Sequence, residues 1–284
     1  MLPLELYRGI EPAWCPGCGN FPMLKACKQA LAELEIPPED LVVVSGIGQS
    51  SKFPHYLKCN TFNSIHGRAL PVATAIRLAN HDLWVLVTTG DGDCYGEGGN
   101  HLLATLRRNP NLTLVVHNNQ VYGLTKGQSS PTSDQGFKTL LQPHGVAYPP
   151  LHALALAVAQ DGSWVALGFA GRVEHLAALY KEALTHKGFA LLEVLQPCVS
   201  FNKVNTYQWY EQRVYDVTRE PDYDPENELW AYQKAKEWGD RIPIGVIYRN
   251  PRPILEECFP VLRTGPLVRQ PTARPVKELL ADFI

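Results

Sequence analysis

The sequence predicts an α/β fold: a central, mostly parallel sheet flanked by helices, followed by an irregular C-terminal extension. Three observations carry this. Leu41-Val42-Val43-Val44, Leu83-Trp84-Val85-Leu86-Val87-Thr88-Thr89 and Leu112-Thr113-Leu114-Val115-Val116 are apolar runs of strand length, the pattern of strands buried on both faces. Stretches with helical spacing lie between them. Each run ends in a polar turn: Ser45-Gly46-Ile47-Gly48, Gly90-Asp91-Gly92-Asp93 and His117-Asn118-Asn119.

The elements follow in order. Residues 1–14 read as an irregular arm. Asn20 to Leu34 fits a helix with Met23, Leu24, Cys27, Ala30, Leu31 and Leu34 on one face. After the first strand, Leu70 to Ala79 predicts a helix rich in small residues. Gly98 to Arg108 predicts another, stopped by Asn109-Pro110. Tyr122 to Pro150 is long, polar and interrupted by Gly and Pro, the composition of a functional or mobile segment. A helix over Val173–His186 leads into the strand Ala190-Leu191-Leu192-Glu193-Val194-Leu195. Beyond Phe201 prolines and charges dominate, with one clear helical stretch over Glu226–Trp238. The expected division is therefore a domain at 1–201 with an N-terminal cysteine arm, and an extension at 202–284 that packs on the domain or on a partner. No internal repeat is visible.

With 284 residues, 45% of them apolar and 19% charged, the chain can bury a substantial core. A formal net charge of −2 offers no basic footprint for nucleic acid. No apolar run reaches membrane-spanning length, and Met1 to Arg8 lacks a secretory layout. The expected location is the cytoplasm. Seven cysteines, an odd number in a long chain without a signal segment, argue for thiols or metal ligands over a disulfide framework.

Chemistry concentrates at the strand ends. Ligands of open α/β sheets bind beyond the carboxyl ends of the strands. There an acid, Asp91, ends one buried strand and an amide, Asn119, ends the next. A hard cation can use both, with a diphosphate filling its other positions. As separate motifs both turns are also ordinary turn formers. Gly46-Ile47-Gly48-Gln49-Ser50-Ser51 imitates a dinucleotide fingerprint, but Ser51 replaces the third glycine, no helical pattern opens there, and the acid expected about 20 residues on is missing. NAD binding is excluded on these grounds. Cys15-Pro16-Gly17-Cys18 is a knuckle whose two thiolates can reach one metal or cluster. Cys198 stands far downstream, after a strand.

Twenty-five residues, Asp93 through His117, lie between Gly90-Asp91-Gly92 and Asn118-Asn119. This resembles the signature of thiamine diphosphate (TPP) enzymes. The resemblance implies that Asp91, Asn119 and the carbonyl of Val121 bind Mg²⁺. The larger ensemble is Cys15-Pro16-Gly17-Cys18-Gly19-Asn20, Ser45-Gly46-Ile47-Gly48-Gln49-Ser50-Ser51-Lys52, His66-Gly67-Arg68-Ala69, the Gly-Asp-Gly-Asp turn, Asn118 to Gln128, and Gln196-Pro197-Cys198. It closely resembles the β subunit of 2-oxoacid:ferredoxin oxidoreductases over residues 10–205, and more loosely to Pro243-Ile244-Gly245-Val246. The resemblance implies TPP, Mg²⁺ and one [4Fe–4S] cluster. It also implies an α subunit with the pyrimidine-binding domain, and ferredoxin as partner. The third of the family's four cluster cysteines is replaced here by Gln49. Cys15, Cys18 and Cys198 match, and Cys59, ten residues on, can substitute only if its loop folds back. An amide is a poor ligand for a cluster that favours thiolate.

The reaction so implied is oxidative cleavage of a 2-oxoacid, 2-oxoglutarate or pyruvate. CO₂ is released, the acyl group passes to coenzyme A, and electrons pass singly through the cluster to ferredoxin. The resemblance places Ile47, Gly48, Gln49, Ser50, Gly67, Gly90, Gly92, Asp93, Gly123, Leu124 and Thr125 along the cofactor. It places His66 near the cofactor's reactive side. Lys52 and Lys126 are candidate contacts for a substrate carboxylate or a coenzyme A phosphate, and Arg68 can hold a carboxylate bidentately. A non-redox TPP decarboxylase or synthase subunit would need Asp91 and Asn119 but not the cysteines. A purely electron-transferring subunit would need the cysteines but not Asp91 and Asn119. This chain keeps both sets.

Overall fold

The computed structural model describes residues 1–271 and 275–281. Its strands in chain order are β1 (Leu41–Ser45), β2 (Asn60–Asn63), β3 (Trp84–Gly90), β4 (Leu112–Asn118), β5 (Val121–Tyr122), β6 (Gln128–Ser129), β7 (Trp164–Phe169), β8 (Phe189–Leu195), β9 (Val214–Asp216) and β10 (Ile242–Arg249). All but β5 and β6, which form a small hairpin, build one sheet in the order β2-β1-β3-β4-β8-β7-β10-β9. The first six are mutually parallel; β10 runs antiparallel to β7 and carries β9 parallel to itself.

The helices are α1 (Asn20–Glu33), α2 (Ala69–Ala79), α3 (Gly99–Arg108), α4 (Ala153–Ala159), α5 (Val173–Thr185), α6 (Tyr207–Glu211), α7 (Glu228–Ala235) and α8 (Val276–Ala281). Side chains of a strand alternate between faces, and both faces here are buried. Val42, Val44, Val85 and Val87 join the core under α2, α3 and α4, whereas Leu41, Val43 and Leu86 join the core under α1 and α5. This is why the strands read as continuous apolar runs. The helix α3 ends at Asn109, which adopts a left-handed φ of 54° and caps the helix. Its side chain also accepts from Phe189 N at 2.8 Å and donates to the carbonyl of Pro253 at 3.1 Å.

The expected α/β sheet is present, and the tail departs from the expected irregular extension in one respect. Rather than only lying against the sheet, residues 202–284 contribute β9 and β10 to it. Pro243 masked β10, because proline removes a ladder donor. It is tolerated where β10 pairs only with β9; pairing with β7 begins at Gly245. The arm at 1–14 is also tied down. Tyr7 is fully buried and donates to the carbonyl of Ile36 at 2.6 Å, and Gly9 N donates to the carbonyl of Tyr56 at 3.3 Å. None of the described helices is long and apolar enough to cross a membrane, and all seven cysteines are free thiols.

One packing detail predicts acid sensitivity. His186, after α5, sits 2.7 Å from Ser163 Oγ, and burial, then the Arg249 charge, lower its pKa to about 4. The unfolded chain takes up this proton near the ordinary histidine value, the folded chain only near 4. Its contribution is therefore whole above about 6.5 and lost as pH falls from there toward 4. Denaturation midpoints across this range should fall more steeply in the parent than in His186→Gln; equal slopes would assign the loss to other groups.

Candidate active site

Two strand ends and two loops converge at the carboxyl edge of the sheet. Directly after β3, Asp91 is 1% exposed, and its Oδ2 accepts from Ser130 Oγ at 2.5 Å and Thr132 Oγ1 at 2.6 Å. Burial pushes its pKa up, against those two hydrogen bonds, which pull it down. The chain then coils as a π-helical stretch over Gly92–Glu97, a form often found at functional sites. Gly92 is obligatory in this packing: a Cβ there would lie 2.3 Å from the Tyr122 ring.

Asp93 is a clamp. Its Oδ1 accepts from Gly67 N at 2.8 Å and Ile47 N at 3.2 Å and lies 2.5 Å from His66 Nδ1; its Oδ2 accepts from Thr89 Oγ1. One buried carboxylate thus fastens the loop after β1 and the loop before α2 to the turn after β3. Gly46 has to be glycine beside it, since a Cβ would fall 1.9 Å from Asp93 Oδ2.

The two asparagines after β4 divide their work. Asn118 turns into the protein: it donates to Glu193 Oε1 at 2.8 Å, and its Oδ1 lies 2.8 Å from Thr132 Oγ1. Asn119 reaches the cleft. Its Nδ2 donates to Gln196 Oε1 at 3.1 Å, its Oδ1 accepts from Val121 N at 3.1 Å, and its carbonyl accepts from Asn202 Nδ2 at 3.3 Å. Gln120 between them and Val121 holds a φ of 61°, which bends the chain back into the β5–β6 hairpin.

These pieces enclose a cleft of about 530 Å³. Of the residues expected there, Ile47 to Ser50, His66, Gly90 to Asp93, Asn119, Val121 and Gly123 to Thr125 line it. Gly67 instead packs under Glu97 and donates to Asp93. Arg68 is exposed, with Nη1 3.4 Å from the Glu97 carbonyl. Lys126 is exposed on the hairpin, with a φ of 84°. Lys52 is half-buried in the 3₁₀ turn Ser50–Tyr56. Neither lysine nor the arginine lines the cleft. Its lining therefore holds two carboxylates and no lysine or arginine.

A second cleft, of about 490 Å³, adjoins the first; Gln49, Asn119 and Gly123 line both. Cys15, Cys18 and Cys198 line this one, brought together from the arm and the end of β8. Cys18 N donates to the Cys15 carbonyl at 3.0 Å, and Gly17 supplies a φ of 80° to the knuckle. Burial raises the Cys18 thiol to about 11, and the nearby Cys198 and Cys15 sulfurs add to this. Trp14, packed on Phe21, Phe53 and Tyr56, donates to the Gln49 carbonyl at 2.8 Å and so anchors the loop between the clefts. Among the described residues, no group of three or more His, Cys, Asp or Glu side chains is drawn together tightly enough to hold a metal ion.

Cys59 stands apart from the three thiols. Its loop does not fold back to the thiols: Cys59 packs against the α1 core near Cys27, with a hydrogen bond from Val43 N, and does not line the second cleft. Gln49, unlike Cys59, lines the cleft of the three thiols. Cys27 and Cys94 are buried in the two cores.

Several contributors escaped the sequence. Tyr122 lines the first cleft; Ser130 and Thr132 hold Asp91 from the long segment; Gln196 bridges the clefts. Gln196, beside Pro197-Cys198, and Tyr122, within Asn118 to Gln128, sit in motifs that could have signalled them. A serine and a threonine about 40 residues from their partner leave no local signal.

The fold and cleft define a class of protein. Residues 46–194 match the family described as "Thiamine pyrophosphate enzyme, C-terminal TPP binding domain", and residues 198–264 match the family of C-terminal regions of the pyruvate ferredoxin oxidoreductase β subunit. The 2-oxoacid:ferredoxin oxidoreductase subunit beta of a Sulfolobus species is 46% identical over 84% of this chain and 81% of its own length. The subunit beta of 2-oxoacid:ferredoxin oxidoreductase 2 from Aeropyrum pernix is 40% identical over 93% and 89%. A solved structure of 2-oxoglutarate:ferredoxin oxidoreductase from Magnetococcus marinus, with 2-oxoglutarate, coenzyme A and succinyl-CoA bound, superposes with a TM-score of 0.91. It is 33% identical, covering 99% of this chain and 95% of that one. The chain belongs to the family of β subunits of 2-oxoacid:ferredoxin oxidoreductases.

Proposed function

We propose that this chain, paired with an α subunit, carries out TPP-dependent oxidative decarboxylation of a 2-oxoacid to acyl-CoA and CO₂ and delivers the electrons to ferredoxin in the cytoplasm. The observation that carries the cofactor assignment is the charge of the first cleft. A diphosphate is anionic, and the lining offers two carboxylates without a lysine or arginine. Entry therefore requires a cation. The carboxylate of Asp91, the amide oxygen of Asn119 and the carbonyl of Val121 are the hard oxygen set that suits Mg²⁺.

Bound TPP supplies the carbanion chemistry that releases CO₂. The chain's own groups position and exclude. Gly90 and Gly92 allow close backbone approach, and Ile47 and Leu124 keep the cleft wall apolar. Asp93 orients the His66 ring through Nδ1, which leaves Nε2 as the ring's polar atom for the substrate. Arg68, Lys126 and Lys52 offer cations outside the cleft for the 2-oxoacid carboxylate and for coenzyme A phosphate. An iron–sulfur cluster would supply one-electron transfer. Cys15, Cys18 and Cys198 line one cleft and are the thiol ligands such a group takes, while Gln49 stands where a fourth would be. Sharing Gln49, Asn119 and Gly123 keeps that site against the cofactor cleft.

The test is anaerobic reconstitution of the αβ enzyme with iron, sulfide and Mg²⁺–TPP, followed by metal counting, EPR and 2-oxoacid-dependent ferredoxin reduction. Cys198→Ser should lose the iron signal and ferredoxin reduction. Gln49→Cys places a fourth thiol beside the three and should prolong cluster lifetime in air. A wild-type enzyme free of iron, releasing CO₂ without ferredoxin reduction, would establish the non-redox reading instead.

A further inference from the structure

We propose that Gln196 is a positioning residue that ties the Asn119 amide to the Cys18 thiol, so that one buried side chain sets both the geometry of the cofactor cleft and the hydrogen bonding of the iron–sulfur site; this rests on the function proposed above. Gln196 follows β8 and is 1% exposed. Its backbone N–H donates to the Asn118 carbonyl at 2.9 Å, prolonging the β4–β8 pairing by one step. Its Oε1 accepts from Asn119 Nδ2 at 3.1 Å; its Nε2 donates to Cys18 Sγ at 3.4 Å and to the Pro197 carbonyl at 3.2 Å.

The amide has one orientation. Turned over, it would set oxygen against the Pro197 carbonyl and the sulfur, and N–H₂ against the N–H₂ of Asn119. An independent feature points the same way. A Cβ on Gly19, directly after the knuckle, would lie 2.8 Å from Gln196 Cγ and 3.1 Å from Nε2. The glycine keeps open the space that the bridge occupies.

Each end has a consequence. With its nitrogen held by Gln196, the Asn119 amide keeps its oxygen as the atom available to a cation. At the other end, an N–H donor to a cluster thiolate stabilises the more negative, reduced state and raises the potential. No other side chain of the two clefts touches both Asn119 and a cysteine among the hydrogen bonds of the described residues.

Two substitutions separate the ends in the reconstituted αβ enzyme. Gln196→Glu keeps an oxygen acceptor for Asn119 and removes the donor to Cys18. Gln196→Leu removes both. EPR-monitored titration should show the potential falling in both variants by about 59 mV, a tenfold change for a one-electron couple. Calorimetric Mg²⁺–TPP affinity should be little changed in Gln196→Glu and reduced about tenfold in Gln196→Leu. Should either variant fail to assemble, Gly19→Ala displaces the bridge from the other side and should lower both the potential and the Mg²⁺–TPP affinity. Unmoved potentials at full iron content, or equal losses of TPP affinity in both variants, would overturn the bridge. Absence of iron from the wild-type enzyme would instead strike the cluster reading first, and the bridge with it.

Discussion

Asp91→Ala should abolish Mg²⁺–TPP binding and turnover together while leaving the apo chain folded. Asp91 is the one anionic member of the proposed Mg²⁺ set. Removing one partner of a buried charge pair costs roughly 3–5 kcal/mol, or on the order of 10²–10³-fold in affinity. The fold should survive because, without Asp91, Thr132 Oγ1 can donate to Asn118 Oδ1, 2.8 Å away, and Ser130 Oγ to Thr132 Oγ1, 3.2 Å away. A ligand present at about 100 times its Kd stabilises by about 2.7 kcal/mol, which for a chain of this size raises Tm by roughly 5–10 °C. That rise should appear in the parent and vanish in Asp91→Ala at unchanged circular dichroism. A variant with the parent's full TPP-induced shift would remove Asp91 from the cofactor site.

The second large effect concerns the partner. The chain without its α partner should show no 2-oxoacid-dependent reduction of a dye acceptor, and adding that partner should restore it. The sequence holds one Gly-Asp-Gly…Asn-Asn unit, and the described residues form one large sheet. By the family resemblance the carboxylate that activates the aminopyrimidine ring belongs to a separate pyrimidine-binding domain. Apolar side chains of the cleft lining, of β2 and of the loop after β2 are exposed. Ile47 is 41% exposed, Leu124 43%, Phe62 49% and Ile65 71%, and β2, with all four residues exposed, forms one edge of the sheet. We propose that the α subunit covers these exposed apolar side chains. Charged substitutions at Ile65 and Phe62 should weaken assembly and leave the isolated chain's Tm near the parent value. Turnover by the isolated chain at a rate indifferent to added α subunit would overturn this reading.

The legibility of this protein in its sequence was uneven for physical reasons. Strands buried on both faces announce themselves as apolar runs, and β1, β3, β4 and β8 were readable as such. So were α1, α2, α3, α5 and α7, whose amphipathic spacing or end signals are local. The strand β10 was hidden by Pro243. The helix α4, Ala-Leu-Ala-Leu-Ala-Val-Ala, has no polar face to set its period, and the apolar run of β7 is interrupted by Gly168. The edge strand β2 is short and polar, so only its pairing with β1 makes it a strand.

What the sequence by itself determined is the set of parts: the α/β class, the turn after β3, the asparagine pair after β4, the cysteine knuckle and the family. These are short-range signals, residues within a few positions of one another whose chemistry is complete in the motif. Only the tertiary structure decided how the parts meet. It put Asp93 under two loops as a clamp, separated Asn118 from Asn119 by function, and set Gln49 beside three thiols. It left Cys59 against the α1 core, outside the cleft of the thiols, and joined the two clefts through Gln196. Each of these is a contact between strand ends or loops tens of residues apart, and a chain's order carries no distance across a sheet until the strands have paired.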